Sequence, residues 1–325
     1  MKRSLVFTLF YICTPLLVIA RTVQRFYMID SQTGFYRTGF ETAGAVISGV
    51  CVAFAVMLVI MTRLSRPGKV ALPKKSRSLS GASCFAAVCL AISAAENFVI
   101  ADSGFADALE ALCAVAFALV LAWFGFAQSG RAEFAPTASL VGVLYAMVRL
   151  FVSFIGYNGE IAISDSMFDI VTMCLVLLFF TALAKLVCGI GDEKLPRSLY
   201  GFGLAAVMFC LCAFIPCVVA LLTGNSATIH GGALPDAAHI GFAALIFAVL
   251  CSFEPTPAGK ADEAHDETDA ADSDVDGEAH DETDVADSDV DGEAHDETDA
   301  ADSDVDGEAH DSRNDSATSG SSDAE

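Results

Sequence analysis

Leu199-Tyr-Gly-Phe-Gly-Leu-Ala-Ala-Val-Met-Phe-Cys-Leu-Cys-Ala-Phe-Ile-Pro-Cys-Val-Val-Ala-Leu-Leu-Thr223 runs for 25 residues without one charged side chain. As an α-helix it would rise about 37 Å, enough to cross the roughly 30 Å hydrocarbon core of a bilayer. A helix on a soluble domain would show a polar face every third or fourth residue, and none is present here. Reading outward from this run, seven more apolar stretches appear, at about 4–20, 42–62, 80–100, 107–128, 136–156, 167–190 and 236–253. They are too long and too uniformly apolar for barrel strands, which alternate with period two. Helices are then the form in which such segments can satisfy their backbone groups in lipid. The expected fold is an all-α membrane bundle of about eight transmembrane helices over residues 1–253. Its breaks fall at Pro67-Gly68, Gly104, Gly130, Gly156 with Gly159, Gly191 with Pro196, and Gly231-Gly232 with Pro235.

The charge is divided as sharply as the hydropathy. Of the 41 acidic and 18 basic residues, 28 acidic but only two basic ones, Lys260 and Arg313, lie in residues 254–325. The body therefore carries +3 and the tail −26, so the acidic pI describes the tail alone. Within the tail a 15-residue unit, EAHDETDAADSDVDG, repeats from Glu263 to Gly307 with Val285 as its one change. A segment this acidic, with valine as its only large aliphatic side chain and no aromatic, cannot offset the entropy of ordering, so it is expected to be disordered. Asp272, Asp274 and Asp276, followed by Gly277, match the first half of a calcium-binding EF-hand loop. The bidentate Glu required at the twelfth position is replaced by Thr283, so only weak cation association, or contact with a basic protein, is expected there.

Basic residues orient the bundle. Arg63, Arg66, Lys69, Lys74, Lys75 and Arg77 cluster between the second and third runs, whereas segments 101–106, 157–166 and 224–235 hold no Lys or Arg. The cluster should be cytoplasmic, which places both termini on that side of the cell membrane. The dissent is segment 21–41, with Arg21, Arg25 and Arg37 on the opposite side. Lys2-Arg3, the apolar run and Ala20 also resemble a secretory signal, but the run is long for one and Arg21 follows at once, so a retained helix is expected.

The body carries traces of duplication. An offset of 128 aligns Arg21 with Arg149, Phe40-Glu41 with Phe168-Asp169, Arg66 with Lys194, Cys84 with Cys212 and Cys89 with Cys217. Four helices per half would make two parallel repeats about an axis along the membrane normal.

Ionisable groups inside such helices are costly and face the bundle interior. The candidates are Glu96, Glu110, Arg149, Asp169 and His239, expected at similar depth in the outer half. Gly142, Ala146, Arg149, Ser153 and Gly156 share one helix face, whose small residues suit close packing. Arg149 is expected to pair with Asp169 first, across a short hairpin, and otherwise with Glu96 or Glu110. All eleven cysteines lie in apolar runs, which reads as packing and not as a disulfide framework.

The stretch Arg25-Phe-Tyr-Met-Ile-Asp-Ser-Gln-Thr-Gly-Phe-Tyr36 resembles one found in uncharacterised multipass membrane proteins of anaerobic Gram-positive bacteria. It spans a dozen residues and implies a membrane protein without implying an activity. No zinc-protease, nucleophile-elbow, Walker or dinucleotide-binding motif is present, so the chain is expected to be non-enzymatic, without a cofactor, a metal centre or a nucleic-acid partner. Two functional classes follow. One is a solute-handling, transporter-like protein working through the polar cluster on an unknown small solute. The other is a membrane sensor or scaffold whose tail binds cations or basic partners.

Overall fold

The computed structural model describes residues 3–30, 36–65, 76–100, 104–156, 163–190, 194–224 and 235–253. Among them the chain forms eight α-helices: α1 Arg3–Val23, α2 Glu41–Leu64, α3 Arg77–Ile100, α4 Phe105–Gln128, α5 Leu140–Gly156, α6 Ile163–Val187, α7 Leu195–Leu222 and α8 Ala237–Ser252. Seven helical segments are long and apolar enough to cross a membrane, and the protein is a helical multipass membrane protein. The acidic repeats, with Asp272, Asp274 and Asp276, lie outside the described residues.

The helices alternate in direction. One end of the bundle gathers the C-termini of α3 and α5 with the N-termini of α4, α6 and α8, and is called the acidic end below. The opposite, basic end carries Arg63, Arg131, Lys194 and Arg197. α7 runs through the middle, packed on α1, α2, α6 and α8, while α3 lies along both α4 and α8. An added Cβ on Gly241 of α8 would lie 3.1 Å from the Ala86 Cα of α3, so the missing side chain lets these two backbones approach.

The helix bounds follow the hydropathy runs closely, except at the end of α1. α1 does not stop at Ala20. It passes through Arg21 and ends in a π-helical turn, Gln24–Met28, with Arg21, Gln24 and Arg25 buried. These polar side chains find partners inside. Arg21 donates to Gln24 Oε1 at 2.7 Å and lies 4.1 Å over the Phe168 ring. Gln24 Nε2 lies 2.7 Å from the Gly44 carbonyl, 3.0 Å from Tyr36 Oη and 3.1 Å from Ser48 Oγ. Arg21 and Arg25 are therefore interior residues and not loop charges, which leaves Arg37 as the basic residue in the described part of that connection. Tyr36 turns inward and occupies the space beside Gly44.

The run at 236–253 matches α8 to within one residue, and this helix of 16 residues rises only about 24 Å. It is nonetheless buried along most of its length. A helix inside the bundle has no need to match the bilayer thickness, because protein and not lipid surrounds it.

The 128-residue offset aligns two inward-facing arginines, Arg21 and Arg149, but the packing is not repeated. In the second half α6 packs on α7, whereas in the first half α2 packs on α7 instead of α3. Burial of the short α8 between α3 and α7 has no counterpart for α4. The expectation of two equivalent four-helix halves therefore does not carry through to the packing.

Candidate functional site

The inward face expected for α5 is the buried one. Gly142 makes room for the Phe117 ring, Ala146 is fully buried, and Ser153 donates to Asp169 Oδ2 at 3.1 Å. Arg149, on the same face, reaches two carboxylates. Its Nη1 donates to Glu110 Oε1 of α4 at 3.0 Å, and its Nη2 pairs with Asp236 Oδ2 at the start of α8. Asp169, expected as the first partner, does not bond Arg149 directly. It is engaged by Ser153 and lies 3.2 Å from Nε2 of His239. The reason is geometric: the start of α8 brings Asp236 to Arg149 and His239 to Asp169, so each hairpin partner is engaged by α8.

Asp236 was not foreseen. It caps α8, accepting from the Ala238 backbone N–H at 2.9 Å, so a single carboxylate satisfies a helix N-terminus and a guanidinium together. The signal available in the sequence was Pro235-Asp236, a turn residue and an N-cap type at the head of an apolar run, with His239 three residues later. His239 lies between two anions, with Nδ1 3.2 Å from Asp236 Oδ2. Asn97 of α3 donates to Glu110 Oε1 at 3.3 Å, while its neighbour Glu96, at the same level, makes no ion pair among the described residues.

Four helices thus supply one ionic layer: Glu110 from α4, Arg149 from α5, Asp169 from α6, and Asp236 with His239 from α8. Its accessibility is graded. The Asp169 and Asp236 side chains are 30% and 24% exposed, those of Arg149 and Glu110 11% and 9%, and that of His239 7%. Phe151 and Phe154 are exposed on the outer surface of α5 and do not seal the layer.

No family model, curated protein or solved structure matches this chain.

Directly beneath the ions lies an aromatic layer from the same four helices. Phe117 stacks on Tyr145 with ring centroids 5.5 Å apart, meets Phe180 edge-on at 5.2 Å, and lies 6.3 Å from Phe242. Tyr145 joins the two layers, since its hydroxyl is 3.4 Å from Arg149 Nη1. Farther toward the basic end is an apolar cavity of about 40 Å³, lined by Leu121, Phe124, Phe134, Leu183 and Leu245 among others. Phe134, in the α4–α5 connection, packs edge-on against Trp123 and Phe124.

Proposed function

We propose that this protein handles a small solute in a transporter-like, non-enzymatic manner, with the ionic layer as its binding centre and the aromatic layer as the barrier beneath it. The observation that carries this reading is the meeting of five ionisable side chains from four helices inside a membrane bundle. Each such group is expensive at this depth, about 2.5–3.5 kcal/mol for Arg or Asp even on insertion scales, and a cluster of them marks a ligand or ion path. The start of α8 supports it further, because a helix N-terminus that begins within the bundle aims its positive end at buried charge.

The orientation belongs to the same reading. The protein sits in the cell membrane with the acidic end outward and both termini cytoplasmic. Burial of Arg21 and Arg25 supports this, since it removes two of the three positive charges that opposed it.

The test is a solid-supported-membrane recording of the full chain in proteoliposomes, challenged with a panel of amino acids, small amines and monovalent cations. At least one member should evoke a transient current that disappears in Glu110→Gln and persists in a chain ending at residue 253. Silence from folded wild-type protein across the panel, or a current indifferent to Glu110→Gln, would overturn the proposal. Loss of the current on removing the tail would favour the sensor or scaffold class.

A further inference from the structure

We infer that His239, together with Asp169, binds a proton, and that this proton ties α8 to α6. The inference rests on reading the ionic layer as a functional centre and adds the identity of an ion that it holds.

The geometry comes first. Both imidazole nitrogens face carboxylate oxygens, Nδ1 toward Asp236 and Nε2 toward Asp169, each at 3.2 Å. A neutral imidazole has one N–H and one lone pair, and an ionised carboxylate only accepts. With neutral His239 and two ionised aspartates, one of the two contacts would set a lone pair against an anion. One added proton removes the conflict, whether it rides on the imidazole or on Asp169. The Nε2 contact is close enough for an ion pair but not aligned for a hydrogen bond, on a side chain 93% buried. The proton is therefore held between groups that can separate without breaking a well-formed bond.

The surroundings favour the added positive charge. His239 contacts Asp236 on its own helix and Asp169 on α6; Arg149 of α5 follows through Asp236, Glu110 of α4 through Arg149, and Glu96 of α3 stands near Asp236. The Cys89 thiol of α3 and the Tyr145 phenol of α5 also stand near Asp236, and the Cys210 thiol of α7 near both aspartates. Within the layer three carboxylates confront one guanidinium, a net of −2 that one proton reduces to −1.

A metal cation fits less well. Glu110 is taken by Arg149 and Asn97, Asp236 by Arg149 and the α8 cap, and Asp169 by Ser153. Among the described residues no group of His, Cys, Asp and Glu is arranged to hold a metal ion. A proton needs no such cage, and the part-exposed carboxylates of Asp169 and Asp236 give it a route from the acidic end.

The consequence is mechanical. His239 lies one helical turn from Phe242, a member of the aromatic layer. With the proton bound, α8 is tied to both α5 and α6. When the proton leaves as the pH rises, the Arg149–Asp236 tie to α5 remains and the tie to α6 is lost, which frees Phe242 against Phe180.

The test uses the full chain in nanodiscs with His230, His265, His280, His295 and His310 replaced by Gln, so that His239 is the one histidine left. Its ring nitrogens are followed by 15N NMR from pH 5 to 9. The expected result is a spectrum at pH 6 with both nitrogens of imidazolium type, or a neutral ring hydrogen-bonded to a protonated Asp169. Asp169→Asn should lower the proton affinity of the site at least about tenfold. A neutral ring at pH 6 beside an ionised Asp169, or a titration unmoved by Asp169→Asn, would overturn the inference. Should the five-fold variant fail to fold, the difference between uniformly histidine-labelled wild type and His239→Gln yields the same signals. Titration as stated in a protein that carries no current would defeat the solute reading alone, whereas current with an unprotonated site would defeat the proton site alone.

Discussion

Arg149 and Asp236 stand 87 residues apart in the chain and meet as an ion pair at the head of the shortest helix. This contact fixes the depth at which α8 begins. Arg149 lies seven residues before the end of α5, so α8 starts about 10 Å inside that end. The ionic layer is thus built around a helix terminus, and its stability should depend on the completeness of the network more than on any one charge.

Arg149→Met leaves the buried Glu110 and the part-exposed Asp236 without their cation. Stranding buried charge in this way costs about 3–5 kcal/mol, whereas removing all partners together is close to neutral. Thermal unfolding in nanodiscs should show a larger loss of Tm for Arg149→Met than for the combined Arg149→Met, Glu110→Gln, Asp236→Asn variant. Equal losses would mean that the pairing contributes nothing to the fold.

Gly142 touches the aromatic layer. A Cβ there would lie 2.7 Å from Phe117 Cε2, closer than real contacts allow. Gly142→Ala should therefore destabilise by about 1–3 kcal/mol through overpacking. Adding Phe117→Leu should recover part of that loss, and non-additivity in the unfolding midpoints of the two single and one double variant measures it.

Gln24→Leu tests the polar end of α1. The substitution removes the partner of Arg21 and leaves the Gly44 carbonyl, Tyr36 and Ser48 without their shared donor. Tyr36 and Ser48 still meet at 3.4 Å, and a buried group that loses a hydrogen bond without replacement costs about 1–3 kcal/mol. The expected outcome is a sharp fall in yield of folded protein by fluorescence-detected size exclusion, far larger than for Leu16→Ala on the exposed face of the same helix.

Reporter fusions check the orientation. Fusions after residue 65 and after residue 260 should both report the cytoplasm, and one after residue 104 the opposite side. Any exported signal from the fusion after residue 260 contradicts the topology.

Much of this architecture was legible in the residues. The apolar runs located every helix to within a few positions, because the free energy of leaving water for lipid is a sum over consecutive side chains and needs no knowledge of neighbours. The inward face of α5 was legible for a similar reason, since Gly142, Ala146, Arg149 and Ser153 recur at helical spacing. The same local logic misread Arg21 and Arg25 as loop charges, because their burial is a property of the packed bundle, with Phe168 of α6 lying under the Arg21 guanidinium. It also joined Arg149 to Asp169 through the nearest hairpin.

The sequence alone determined that this chain is a multipass helical protein with an acidic tail, and that a handful of ionisable residues must face inward. Tertiary structure alone decided which of them meet. Asp236 became the partner of Arg149, and His239 came to lie between two carboxylates, because α8 is short and packed between α3 and α7 with its N-terminus at the level of Arg149 and Asp169. Hydropathy is additive along the chain, whereas an ion pair depends on the depth and crossing of helices that are not consecutive. Only the packed bundle settles those.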